Sequence, residues 1–130
     1  MTIDTPISYG EAIDKLTILE IKKVNITQKN QLENILNEHS LLTTNLDKLR
    51  IENKDVFENF YKELLKVNSA LWKIEDSLRI FEKDKIFNEE FISLARSVYK
   101  LNDQRYKIKK QINIYFKSDI FEEKKYEDYQ

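Results

Sequence analysis

The 130 residues hold 22 Lys and Arg against 23 Asp and Glu, a formal net charge of −1, with 41% hydrophobic and 35% charged residues. The two signs are mixed along the chain without a basic stripe, which removes the electrostatic basis for generic nucleic-acid or anionic-membrane binding. The lack of cysteine excludes disulfides, zinc–thiolate sites and thiol nucleophiles.

One Gly and one Pro in the whole chain leave little to interrupt regular structure, so long helices are expected. The length suits a single domain with a core of its own. The opening MTIDTPIS has neither a charged n-region nor an apolar run, and no stretch approaches the roughly 20 apolar residues of a membrane span. A soluble, cytoplasmic protein without membrane insertion is the expectation.

Four helices follow in chain order. Ser8 with Glu11 forms an S-x-x-E capping box that predicts a first helix running to about Asn25, with Pro6 keeping the preceding chain extended. Thr27 is the expected cap of a second helix over residues 29–50, carrying Leu32, Ile35, Leu36, Leu42, Leu46 and Leu49 on one side. IENKD breaks the pattern, and Asp55 is the expected start of a third helix to about Lys83, with Phe57, Tyr61, Leu64, Leu71 and Leu78 in its apolar stripe. Asn88 caps a fourth, reaching about Phe116. No period-2 strand pattern and no internal repeat occur. Short connections between amphipathic helices predict an all-α antiparallel bundle of four long helices over residues 1–116, followed by a charged, aromatic tail over residues 117–130 that either docks or frays. The third and fourth helices are long enough to outrun a compact bundle, which leaves room for a homodimer.

Helical wheels at 100° per residue place polar side chains where apolar ones belong. Glu20 falls within the apolar arc of the first helix, with Lys23 nearby. Asn68, Glu75, Arg79 and Glu82 fall within that of the third, and Asn102, Arg105, Lys109 and Asn113 within that of the fourth. The second helix contributes only His39. Buried charges must pair, reach solvent or line a cavity. Gly10 in a first helical turn calls for close backbone approach, either by a packed helix or by a ligand.

The blocks SYGEAIDKLTILEIK, VNSALWKIED and FISLARSVYKLNDQRYKIKKQIN, with a final EEKKY, resemble an uncharacterised family of small bacterial proteins defined only as a domain of unknown function. The resemblance covers Pro6 to Tyr126 and implies an all-helical protein without an established activity. Its motif comprises Ser8, Tyr9, Gly10, Glu11, Asp14, Lys15, Thr17 and Glu20. It continues through Asn68, Trp72, Glu75 and Asp76 to Arg96, Tyr99, Asn102, Asp103 and Arg105.

Two readings of function follow. In the first, a polar site between the helices binds a small anionic molecule. Arg79, Arg105 and Lys109 hold a carboxylate or phosphate, Asn68 and Asn102 orient it, and the Tyr9–Gly10 turn adds backbone N–H donors. Glu20 and Glu75 are the candidate acid/base residues. No cofactor is predicted. Glu75, Asp76 and Glu82 are the acids that could attract Mg²⁺, in the manner of all-α nucleoside-triphosphate pyrophosphatases, but the E-x-x-E pairing of that class is not met. In the second reading the protein is a non-catalytic helical adaptor or dimer whose internal ions fix register, and the protruding helix ends with the tail residues Ile120, Phe121, Tyr126 and Tyr129 make the contacts. A solvent-open cavity around the arginines favours the first; a sealed, paired network favours the second.

Overall fold

The computed structural model describes residues 1–125 and 127–129; Tyr126 lies outside them. Its four helices are α1 (Tyr9–Asn25), α2 (Lys29–Glu52), α3 (Lys54–Lys83) and α4 (Glu89–Tyr115), and no strand occurs among the described residues. Successive helices run antiparallel and form a bundle. None is long and apolar enough to cross a membrane.

The caps explain where the helices begin. Ser8 Oγ accepts from the Glu11 amide at 3.1 Å, and Asn88 Oδ1 from the Phe91 amide at 3.0 Å. Both satisfy one of the donors that a helix start leaves unpaired. At α2 the cap is Gln28 rather than Thr27: its side chain accepts from the Gln31 amide at 2.7 Å. The break in IENKD shrinks to a single residue, Asn53, so α3 starts at Lys54. Asn53 closes α2 by donating through Nδ2 to the Leu49 carbonyl at 3.0 Å. Arg50 then clamps this joint. Its guanidinium donates to both carboxylate oxygens of Glu58 and lies 5.0 Å from the Phe57 ring centre and 5.2 Å from that of Tyr61. The Glu58 hydrogen bond raises the Arg50 pKa above its ordinary value against the opposing effect of burial.

α1 sits at the centre. It packs against all three other helices, whereas the α2 and α4 backbones do not approach each other closely. The apolar core joins Ala12, Ile13 and Leu16 of α1 to Leu46, Phe57, Leu64 and Ile112. Because α1 is covered on three sides, burial extends well beyond one apolar arc. Gly10, Asp14, Thr17 and Ile21, a stripe spaced at helical intervals, are all buried.

α3 and α4 form the most extensive pair, and they continue past α1. Val24 and Asn25, at the end of α1, share a cleft with Trp72 and Lys73 of α3. The rest of α3, to Lys83, therefore projects about 15 Å at the helical rise per residue. No residue of α3 after Leu71 and none of α4 before Tyr106 is fully buried. At the tip, Lys85 adopts a left-handed conformation and Ile86 N donates to the Phe81 carbonyl at 2.9 Å, ending α3. Lys117 does the same after α4, where Ser118 N reaches the Asn113 carbonyl at 2.8 Å.

The tail then returns along α4. Glu122 meets Lys109 at 3.2 Å, Lys124 lies 5.6 Å from the Tyr106 ring, and Tyr129 packs on Tyr99 with ring centres 5.0 Å apart.

The glycine has a direct test. A Cβ added at Gly10 would lie 2.6 Å from the Lys109 carbonyl oxygen and 3.0 Å from Asn113 Oδ1. Backbone cannot yield as a flexible side chain can, so Gly10→Ala is expected to cost about 1–3 kcal/mol despite its gain in helix propensity. Thermal unfolding should show the midpoint falling by several degrees; an unchanged or raised midpoint would contradict this packing.

Candidate functional site

The close approach of α1 to α4 at Gly10 builds the polar centre of the bundle. The Gly10 amide, one of the unpaired donors of the α1 start, donates to Asn113 Oδ1 of α4 at 2.7 Å. One turn further along α1, Asp14 is 0% exposed. Its carboxylate receives the fork of Arg105, with Nε on Oδ1 at 2.9 Å and Nη2 on Oδ2. Asn68 of α3 spends both amide hydrogens here, donating to Asp14 Oδ1 at 2.9 Å and to Thr17 Oγ1 at 2.8 Å. Thr17 Oγ1 in turn donates to the Asp14 carbonyl at 2.7 Å. A carboxylate only accepts, so the Asn68 amide has one self-consistent orientation.

Lys109 completes the cluster from one turn along α4. Its Nζ lies 2.7 Å from Glu11, 3.2 Å from Glu122 of the returning tail and 4.0 Å from Asp14. The carboxylate of Glu11 therefore meets α4 instead of closing the capping box. The Asp14 hydrogen bonds raise the Arg105 pKa above its ordinary value, with burial pulling the other way. The guanidinium is a fixed cation at every pH at which the protein folds.

The charge balance of this arrangement limits what it can do. Two cations, Arg105 and Lys109, face three carboxylates, Asp14, Glu11 and Glu122. Among the described residues, Thr43 Oγ1 on α2 is the only buried side-chain nitrogen or oxygen without a hydrogen-bond partner, and it lies outside the cluster. Both cations are paired and outnumbered by carboxylates, although the Arg105 side chain stays 27% exposed, so the network offers an incoming anion little unneutralised positive charge.

The residues singled out from the sequence divide by position. Gly10, Asn68, Arg105 and Lys109 come together in this network, and Tyr9 lies at its edge, packing on Phe116 with ring centres 5.8 Å apart. Asn102 is half-buried on α4. Glu20 lies elsewhere, half-buried at the α1–α2 contact, 3.2 Å from His39 and 3.3 Å from Lys23. Glu75 and Arg79 are exposed on the projecting part of α3 with Glu82, where they border a shallow cleft with Leu78, Phe91 and Ala95. Wheel positions alone missed Asp14, Thr17 and Glu11. The signal available was the Gly10 stripe: a lone helical glycine marks close approach, and the residues sharing its face approach the same neighbour. Among the described residues no group of three or more His, Asp or Glu could hold a metal ion.

The sequence pattern of one family spans residues 3–129. The chain belongs to the family of unknown function DUF6165. No curated protein and no solved structure matches it, so membership of DUF6165 brings an uncharacterised helical family and no activity.

Arg105→Leu should lower the free energy of unfolding by about 3 kcal/mol, since it leaves Asp14 buried and only partly compensated by Asn68 and Lys109. Arg105→Lys retains the charge but not the fork and should fall between the variant and the wild type. Urea unfolding measures both. A Leu variant as stable as the wild type would remove the pair from any account of the fold.

Proposed function

We propose that this chain is a non-catalytic helical interaction protein that self-associates through the projecting α3–α4 hairpin. The supporting observation is the seam of that hairpin. Ile74, Leu78, Phe81, Phe91, Leu94, Ala95 and Val98 meet between the two helices yet stay only partly covered, because α1 has ended and α2 does not reach α4. Ile80, Ile86, Phe87 and Ile92 are exposed around the tip. A two-helix hairpin buries its stripe on one side only, and helices of this kind are stabilised by further helices laid along the open flank.

Charge supports a second copy as the partner. Glu75 and Arg79 are spaced four apart on one helix, but neither makes an ion pair among the described residues. In a two-fold contact the same patch serves both subunits, so Arg79 of one copy can lie opposite Glu75 or Glu82 of the other. The paired polar centre fits this reading as the device that fixes helix register. It gives less support to a small anionic molecule held between the helices, because Arg105 and Lys109 are already neutralised.

Size-exclusion chromatography with light scattering tests the proposal. The wild type is expected to run as a dimer and Arg79→Glu as a monomer of unchanged helicity. The swap Glu75→Arg with Arg79→Glu should restore the dimer. A wild type that stays monomeric at every concentration, or a dimer indifferent to Arg79→Glu, would overturn it.

A further inference from the structure

On α4, Arg96, Lys100, Gln104 and Lys107 follow one another at intervals of four and three residues and so share one face. This face turns away from the network: Arg105 and Lys109 of the same helix are neutralised there, whereas Arg96, Lys100 and Lys107 have no ion pair among the described residues. The returning tail converts this face into a cleft. Tyr129 packs edge-to-face on Tyr99 at 5.0 Å, and its hydroxyl donates to Asp103 Oδ2 at 2.7 Å. The resulting cleft encloses about 520 Å³, with those three cations, Gln104 and the two tyrosines in its lining. Among the described residues Asp103 is the one acid in the lining, and its carboxylate accepts the hydrogen bond of the Tyr129 hydroxyl. Glu89 lies beyond it, along an adjoining smaller cleft that shares Arg96 and Lys100.

We infer that this cleft binds a small phosphorylated molecule bearing a planar ring, of the nucleoside diphosphate class. Arg96 and Lys100 are one turn apart and suit a single phosphate, the guanidinium as a fork and the ammonium as a point charge. Lys107 stands roughly 10 Å further along the helix axis, so a lone phosphate cannot engage all three cations and an extended polyanion can. The tyrosines supply a surface on which a ring can stack, and Gln104 adds an amide between the cationic positions. The inference concerns the outer face of α4 and does not depend on self-association through the hairpin.

Isothermal titration of the full chain with ADP, UDP and inorganic pyrophosphate tests it. The nucleotides should bind, with affinity falling as salt rises. Arg96→Ala combined with Lys100→Ala should weaken all three probes by about tenfold or more. Tyr129→Ala should weaken the nucleotides more than pyrophosphate. All three side chains are at or near the surface, so circular dichroism is expected to show unchanged folding. No binding of either nucleotide, binding that survives the Arg96/Lys100 double variant, or nucleotide binding indifferent to Tyr129→Ala would overturn the inference.

Discussion

A carboxylate wholly removed from water stays ionised only if its surroundings replace the hydration it has lost, and at Asp14 that requirement falls on two other helices at once. Arg105 of α4 supplies a fork, Asn68 of α3 supplies an amide hydrogen, and both can do so only at one relative height of α1, α3 and α4. A slide of one turn, roughly 5.4 Å, would break the fork and the Asn68 bonds and leave at best the point charge of Lys109 opposite Asp14. Apolar packing tolerates exchange of one leucine for another, whereas a paired ion does not. The Asp14–Arg105 contact therefore selects the register in which the remaining contacts form.

The contacts that follow from this register are specific. With Asp14 opposite Arg105, the helix start comes level with Lys109 and Asn113, where only a glycine leaves room for the α4 backbone. Lys109 then reaches Glu11 on one side and Glu122 on the other, so the same alignment anchors the tail. The short α1 and the long α3 and α4 leave the hairpin beyond Trp72 with one open flank. The proposed self-association and the proposed ligand cleft on α4 both concern surfaces outside the paired polar centre.

Much of this fold was legible in the sequence because it rests on local chemistry. The helix spans and the caps at Ser8 and Asn88 depend on residues a few positions apart, and wheels place Asn68, Arg105, Lys109 and Asn113 inward because α3 and α4 each have a well-defined inner face there. Asp14 and Thr17 escaped the same reasoning for a physical reason. An apolar arc marks the buried side of a helix with one or two neighbours, but α1 has three, and its third neighbour meets a face that is small and polar. The wheel of α3 failed in the opposite direction at Glu75 and Arg79, since an arc extended along a long helix ignores that its neighbour stops first. Glu20 reads as central on the α1 wheel, while its partners His39 and Lys23 place it at the rim. The meeting of Glu122 with Lys109 has no periodicity to announce it.

The most direct test of this account is a double-mutant cycle on Asp14 and Arg105, using Leu at both positions and urea unfolding with amide exchange of α1 as readouts. The account predicts that each single variant is strongly destabilised. The double variant should recover much of the loss, because no buried charge is left without a partner. Its register is expected to loosen, so amide exchange in α1 should be faster than in the wild type even where stability has returned. Single variants that unfold like the wild type, with no coupling between the two sites, would contradict the claim that this pair holds the bundle in register.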